Sequence, residues 1–94
     1  MRTIERSAAF KKDYKRLKAS PRHRRDLDKL LSEVLMLLAT DEALPEAGCD
    51  HTLIGKWPGY RECHMKPDLL LIYRKADADT LRLARLGSHS ELFG

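Results

Sequence analysis

This 94-residue chain has no run of 18 apolar residues, so it offers no helix that would cross a bilayer. Its opening segment, MRTIERSAAFKK, lacks the apolar stretch of a secretory signal, and the expectation is a soluble cytoplasmic protein with no membrane partner. Cysteine is scarce. Cys49 and Cys63 are the only two, and without a secretion signal they read as reduced thiols rather than as a disulfide framework. Internal repeats and low-complexity segments are absent as well, which leaves a single domain over residues 1–94. A chain of this length buries only somewhat more than about 60% of its unfolded surface, so its core must be compact.

Charge, by contrast, is plentiful and uneven. Within the first 29 residues eleven Lys and Arg oppose four acids (Glu5, Asp13, Asp26 and Asp28), a balance of +7, whereas residues 30–94 hold seven against ten, a balance of −3. A basic half of this kind suits nucleic acid phosphates or an acidic protein partner, although a solvated helix surface has the same composition.

The pattern of apolar residues divides the chain into helices first and strands after. Residues 2–6 suit a short edge strand with Ile4 pointing inward. Ser7 reads as an N-cap, and Phe10, Tyr14 and Leu17 fall on one face of a helix over 8–18. Ser20-Pro21 repeats the start signal ahead of a second helix, whose stripe is Leu27, Leu30, Leu31, Val34, Leu35 and Leu38. Residues 40–49, TDEALPEAGC, have no sustained period and form a linker.

Strands are then predicted at 51–54, 60–65, 69–74 and 81–86, with turns at 55–59, 66–67 and 75–80. Connections this short enforce antiparallel pairing, and the run LLLIY reads as a central strand covered on both faces. The fold class is therefore α+β, an N-terminal helical hairpin packed on a small twisted antiparallel β-sheet. Ser88 with Glu91 three residues later makes a capping box, which would fix His89 at the start of a terminal helical turn.

The stretch from Asp50 to Arg74 holds most of the reactive groups. Cleaving RNA without a metal requires a base for the ribose 2′-OH, an acid for the departing 5′ oxygen, and cations near the phosphorus. Histidine suits both proton transfers, with an ordinary pKa of about 6.5. Alternation along 60–65 turns Cys63 and Met65 toward the core and His64 outward. Asp68 follows the Lys66-Pro67 turn, His51 opens the preceding strand, and His89 arrives from the far end of the sheet, so four titratable groups converge on one face. Arg61 and Arg85 are candidate phosphate clamps.

Blander readings stand beside each. A lone surface histidine is usually decoration, as expected for His23 among Arg22, Arg24 and Arg25 on a solvated helix face. Asp68 can simply end a turn, Arg61 can pair with Glu62, and Trp57 suits structural packing. Phe93 is either the anchor of the terminal turn or a platform for a base. Cys49, His51, Cys63 and His64 are zinc-ligand types, but Cys-x-His and Cys-His are not structural zinc spacings, and no metal or other cofactor is expected.

The segments DHTLIGKWPGYRECHMKPDLLLIYR and LARLGSHSELFG resemble the YafQ branch of the RelE/ParE superfamily, the toxins of type II toxin–antitoxin pairs. Residues 50–94 carry the specific motifs, and residues 1–49 agree in length, helical-hairpin pattern and basic charge. The resemblance implies a ribosome-dependent endoribonuclease that cuts mRNA in the A site. Carried over motif by motif, it implies proton transfer among His64, Asp68 and His89, orientation or phosphate contact by His51, and base positioning by Phe93. The RelE branch relies more on basic residues and a terminal tyrosine. Phe93 cannot transfer a proton, so that mechanism does not carry over directly.

The implied partners are a cognate antitoxin, which blocks the site in an operon-regulating complex, together with the ribosome and mRNA. The basic helices would hold ribosomal RNA. Two alternatives remain open at this point: a ParE-like inhibitor of DNA gyrase, and a non-enzymatic RNA- or protein-binding module.

Overall fold

The computed structural model describes residues 1–42, the backbone of 51–52, and residues 59–93. Among them the elements run β1 (Thr3–Arg6), α1 (Ala8–Lys18), α2 (Leu27–Ala39), β2 (His51–Thr52), β3 (Arg61–Lys66), β4 (Leu69–Asp77), β5 (Thr80–Gly87) and α3 (His89–Phe93). The linker beyond Glu42 with Cys49, the end of the strand expected at 51–54, and the turn carrying Trp57 lie outside the described residues.

Ser7 starts α1 as its sequence position predicts. Its Oγ accepts the Phe10 N–H at 2.9 Å and donates to the Ala84 carbonyl at 2.7 Å, so one hydroxyl caps the helix and ties it to β5. Phe10 and Leu17 are buried on the inner face, and Tyr14 packs partly against the same core.

The second helix begins later than Ser20-Pro21 suggests. Residues 21–26 form turns, and α2 starts at Leu27. Ser20 does act as an acceptor, taking the Arg22 N–H at 3.3 Å, but it serves a turn and not a helix. The physical reason lies in the sheet. The Lys66 ammonium meets Asp26 Oδ1 at 3.0 Å and donates to the Arg22 carbonyl at 3.5 Å, which draws this segment onto the end of β3. The helical phase is thereby reset, and His23, expected on a solvated helix face, is instead 6% exposed. From Leu27 onward the stripe Leu27, Leu31, Leu35 and Leu38 is buried at helical spacing.

The five strands lie in the order β1-β5-β4-β3-β2. The hairpins β3–β4 and β4–β5 and the pair β2–β3 are antiparallel, as their short connections require. The edge strand β1 pairs with β5 in parallel, from Thr3 opposite Thr80 to Arg6 opposite Leu83, because the helical hairpin returns the chain before the sheet is built. Beyond Leu83, β5 has no strand on that side among the described residues, and the first turns of α1 supply partners to its outer backbone groups.

The central strand β4 is covered on both faces. Leu69, Leu71 and Tyr73 join Phe10, Leu17 and the α2 leucines in the larger core. Leu70 and Ile72 form a second, smaller cluster with Ala84 and Leu92, against which Tyr60 and Phe93 pack. That smaller cluster fixes α3 against the sheet and positions the side chains described next.

Candidate active site

The ends of β3 and β5 and the start of β4 meet at one end of the sheet. His64 pairs with Leu70, and Leu70 pairs with Gly87, so His64 lies two strand spacings, roughly 10 Å, from the residue two before His89. Asp68 occupies the two-residue turn between β3 and β4. His51 pairs with Glu62, one diagonal step from His64 on the neighbouring strand, which sets their backbones roughly 7–8 Å apart.

His64 is half-buried, with Nε2 3.8 Å from Glu62 Oε1. His89 is exposed at the first position of α3, and the capping box holds it there. The Ser88 N–H donates to Glu91 Oε1 at 2.8 Å, and the Glu91 N–H donates to Ser88 Oγ at 3.2 Å. The hydrogen bond from the Ser88 N–H holds the Glu91 carboxyl below its ordinary value. One helical turn on, the Phe93 ring packs against the His89 imidazole, with ring centroids 4.9 Å apart and planes tilted by 48°. Leu92, buried between them in sequence, anchors the turn.

On the helix side of the same corner lies a cavity of about 300 Å³, lined among others by Arg16, Arg22, His23, Asp68, Ser88 and Glu91. Asp68 Oδ2 is 2.5 Å from Arg22 Nη2. Next to it runs a chain of ion pairs: Glu91 Oε2 meets Arg16 Nη2 at 3.2 Å, and Arg16 Nη1 meets the buried Asp13 at 3.1 Å. Asp13 also accepts Arg85 Nε at 2.7 Å, Arg85 Nη2 at 3.1 Å and the Leu86 N–H at 3.0 Å. Burial alone pushes the Asp13 carboxyl up, but these hydrogen bonds and the charge of Arg85 bring it below its ordinary value.

Residues 2–94 match the family described as a bacterial toxin of type II toxin–antitoxin systems, YafQ. The chain belongs to the YafQ family. It is 42% identical over 93 residues to the mRNA interferase toxin YafQ of Escherichia coli K12, covering 99% of this chain and 97% of that one. A metal-bound toxin from Helicobacter pylori superposes with a TM-score of 0.87 at 51% identity, over 99% of this chain and 100% of that one. The toxin in the Escherichia coli DinJ–YafQ complex superposes with a TM-score of 0.84 at 38% identity, over the whole of both chains.

Within this YafQ fold the structure sorts the residues singled out in the sequence. It brings His64, Asp68, His89 and Phe93 to one end of the sheet, and the backbone of His51 beside them. It does not bring Arg61. That residue pairs with Tyr73 and shares the Cys63 side of β3, opposite to His64, because strand neighbours alternate. Arg85 stands where β5 is irregular and directs two of its nitrogens to Asp13. Among the described residues no three His, Cys, Asp or Glu side chains stand close enough to hold a metal ion, and Cys63 and His64 occupy opposite faces of β3.

Three residues of the corner escaped the sequence reading. Asp13 had a signal, since it falls on the apolar stripe between Phe10 and Leu17, where an acid demands a buried cation. Arg22 and His23 had none, because the helix expected from Pro21 put them on a solvated face.

Proposed function

We propose that this chain is an endoribonuclease toxin that cuts mRNA in the ribosomal A site and is held inactive by a cognate antitoxin. The observation that carries the reading is the strand register: it aligns His64, through Leu70, with Gly87, so that two imidazoles flank the turn bearing Asp68. The family supports it, since its Escherichia coli relative is an mRNA interferase toxin and is solved in complex with DinJ. ParE-like gyrase inhibition needs no such acid–base set.

The chemistry follows from these groups. One of His64, Asp68 and His89 takes the proton of the 2′-OH while the 2′ oxygen attacks phosphorus. A protonated imidazole of the set delivers a proton to the 5′ oxygen as its bond to phosphorus breaks. His51 orients the substrate or touches the phosphate, and Phe93, packed at a tilt against His89, offers a face on which a base can lie. The exposed Lys11, Lys12 and Lys15 on α1 give the basic half its hold on ribosomal RNA and on acidic antitoxin segments.

The test is cleavage mapping. Added to a translating extract, the wild-type chain should leave new mRNA ends at fixed codon positions, and His64→Ala or His89→Ala should slow their appearance by roughly 100-fold or more. Intact messages with the wild-type protein would reject the enzyme, and gyrase-dependent DNA breaks in their place would favour the ParE-like activity.

A further inference from the structure

The reaction needs a cation where charge gathers on the scissile phosphate. Arg61 pairs with Tyr73 toward the other end of β3, and Arg85, only 28% exposed, gives two nitrogens to Asp13. A third arginine does reach the corner. Arg22 sets Nη2 2.5 Å from Asp68 Oδ2, yet its side chain is 73% exposed. Its planar guanidinium carries five N–H donors, and one carboxylate oxygen at one end of that fork leaves it suited to a bidentate grip on a phosphate.

The backbone beneath it is docked rather than loose. Lys66, midway in sequence between His64 and Asp68, donates to the Arg22 carbonyl at 3.5 Å and lies 3.5 Å from Nδ1 of the buried His23, while pairing with Asp26 at 3.0 Å. Arg22 therefore enters the corner from the helix side, on a segment fixed to the strand end that carries His64, and reaches Asp68 in the turn at the edge of the sheet. The cavity it lines with Asp68 also reaches Ser88, the residue before His89.

We infer that Arg22 is the phosphate-binding cation of this site, gripping the RNA phosphodiester at the corner, with Asp68 holding its guanidinium in place before substrate arrives. This rests on the nuclease reading above. A purely structural ion pair is the competing account, and an exposed pair of this kind contributes little to stability, so the two accounts separate in kinetics.

The experiment measures the first-order rate of mRNA cleavage on programmed ribosomes at saturating toxin, where a loss of ribosome affinity no longer shows. Arg22→Gln should cut that rate about 10- to 100-fold. Arg22→Lys, which keeps the charge but not the fork, should fall between it and the wild type. Arg24→Gln removes one positive charge from the same segment without lining the cavity, and so sets the cost of charge alone. The melting temperature of Arg22→Gln should stay within about 3 °C of the wild type. Arg22→Gln cleaving within about threefold of Arg24→Gln would overturn the assignment, and so would a rate loss matched by loss of folding. If the wild type cleaves and His64→Ala does not, the nuclease reading stands whatever Arg22 does. If the wild type leaves messages intact, both fall together.

Discussion

Asp13 is the acid on which the corner leans. It is 2% exposed and accepts from two arginines and one backbone N–H, so its charge is matched inside the fold. Replacing it with alanine strands Arg85 and the Leu86 N–H, and should lower unfolding stability by roughly 2–4 kcal/mol in urea titrations. The pH dependence has a definite sign. The folded carboxyl sits below the ordinary 3.8, so its contribution is complete above that value and fades as the pH falls through the depressed one. Asp41, paired with Lys75 and Arg2 and lowered to about 2, acts in the same direction. Stability of the wild type should therefore decline below about pH 4, and Asp13→Asn should show a shallower decline. At this scale the sequence was half legible. His64, Asp68 and His89 were singled out by type and motif, and the fold brings them to one end of the sheet, but the partners of Asp13 and the face taken by Arg61 depend on a register that periodicity alone does not fix.

The elements were more legible than their boundaries. The stripe of Phe10, Tyr14 and Leu17, the LLLIY run and the Ser88–Glu91 capping box each led to the element observed, because each is decided by local geometry. The start of α2 was not, because Lys66, arriving from 40 or more positions later in the chain, pins Arg22 and Asp26 within turns over 21–26 that no local signal announces. The parallel pairing of β1 was equally hidden in its four residues. Ser7 joins the local and the distant, capping α1 and bonding β5 with one oxygen. Ser7→Ala removes both bonds and should lower stability by roughly 1–2 kcal/mol, read as a fall in the urea midpoint at unchanged slope. A change below about 0.3 kcal/mol would mean that water replaces both bonds without loss.

Across the whole molecule the charges divide as the chain does, +7 in the first 29 residues and −3 in the rest. Lys11, Lys12 and Lys15 are all exposed on α1, away from the buried stripe. Reversing the three to glutamate should weaken ribosome binding at least tenfold in cosedimentation and flatten its dependence on salt, while leaving the fold intact by circular dichroism. Unchanged binding would move the ribosome contact to another face.

The parallel seat of β1 also sets an order in time. Its neighbour is the stretch from Thr80 to Leu83, so a nascent polypeptide has nothing to place its first strand against until nearly all of the domain has been synthesised. α1 waits on the same event, because its capping hydroxyl reaches Ala84 and its buried acid reaches Leu86. The corner that gathers His64, Asp68 and His89, built in part on that last strand and the turn after it, is thus among the latest parts to assemble.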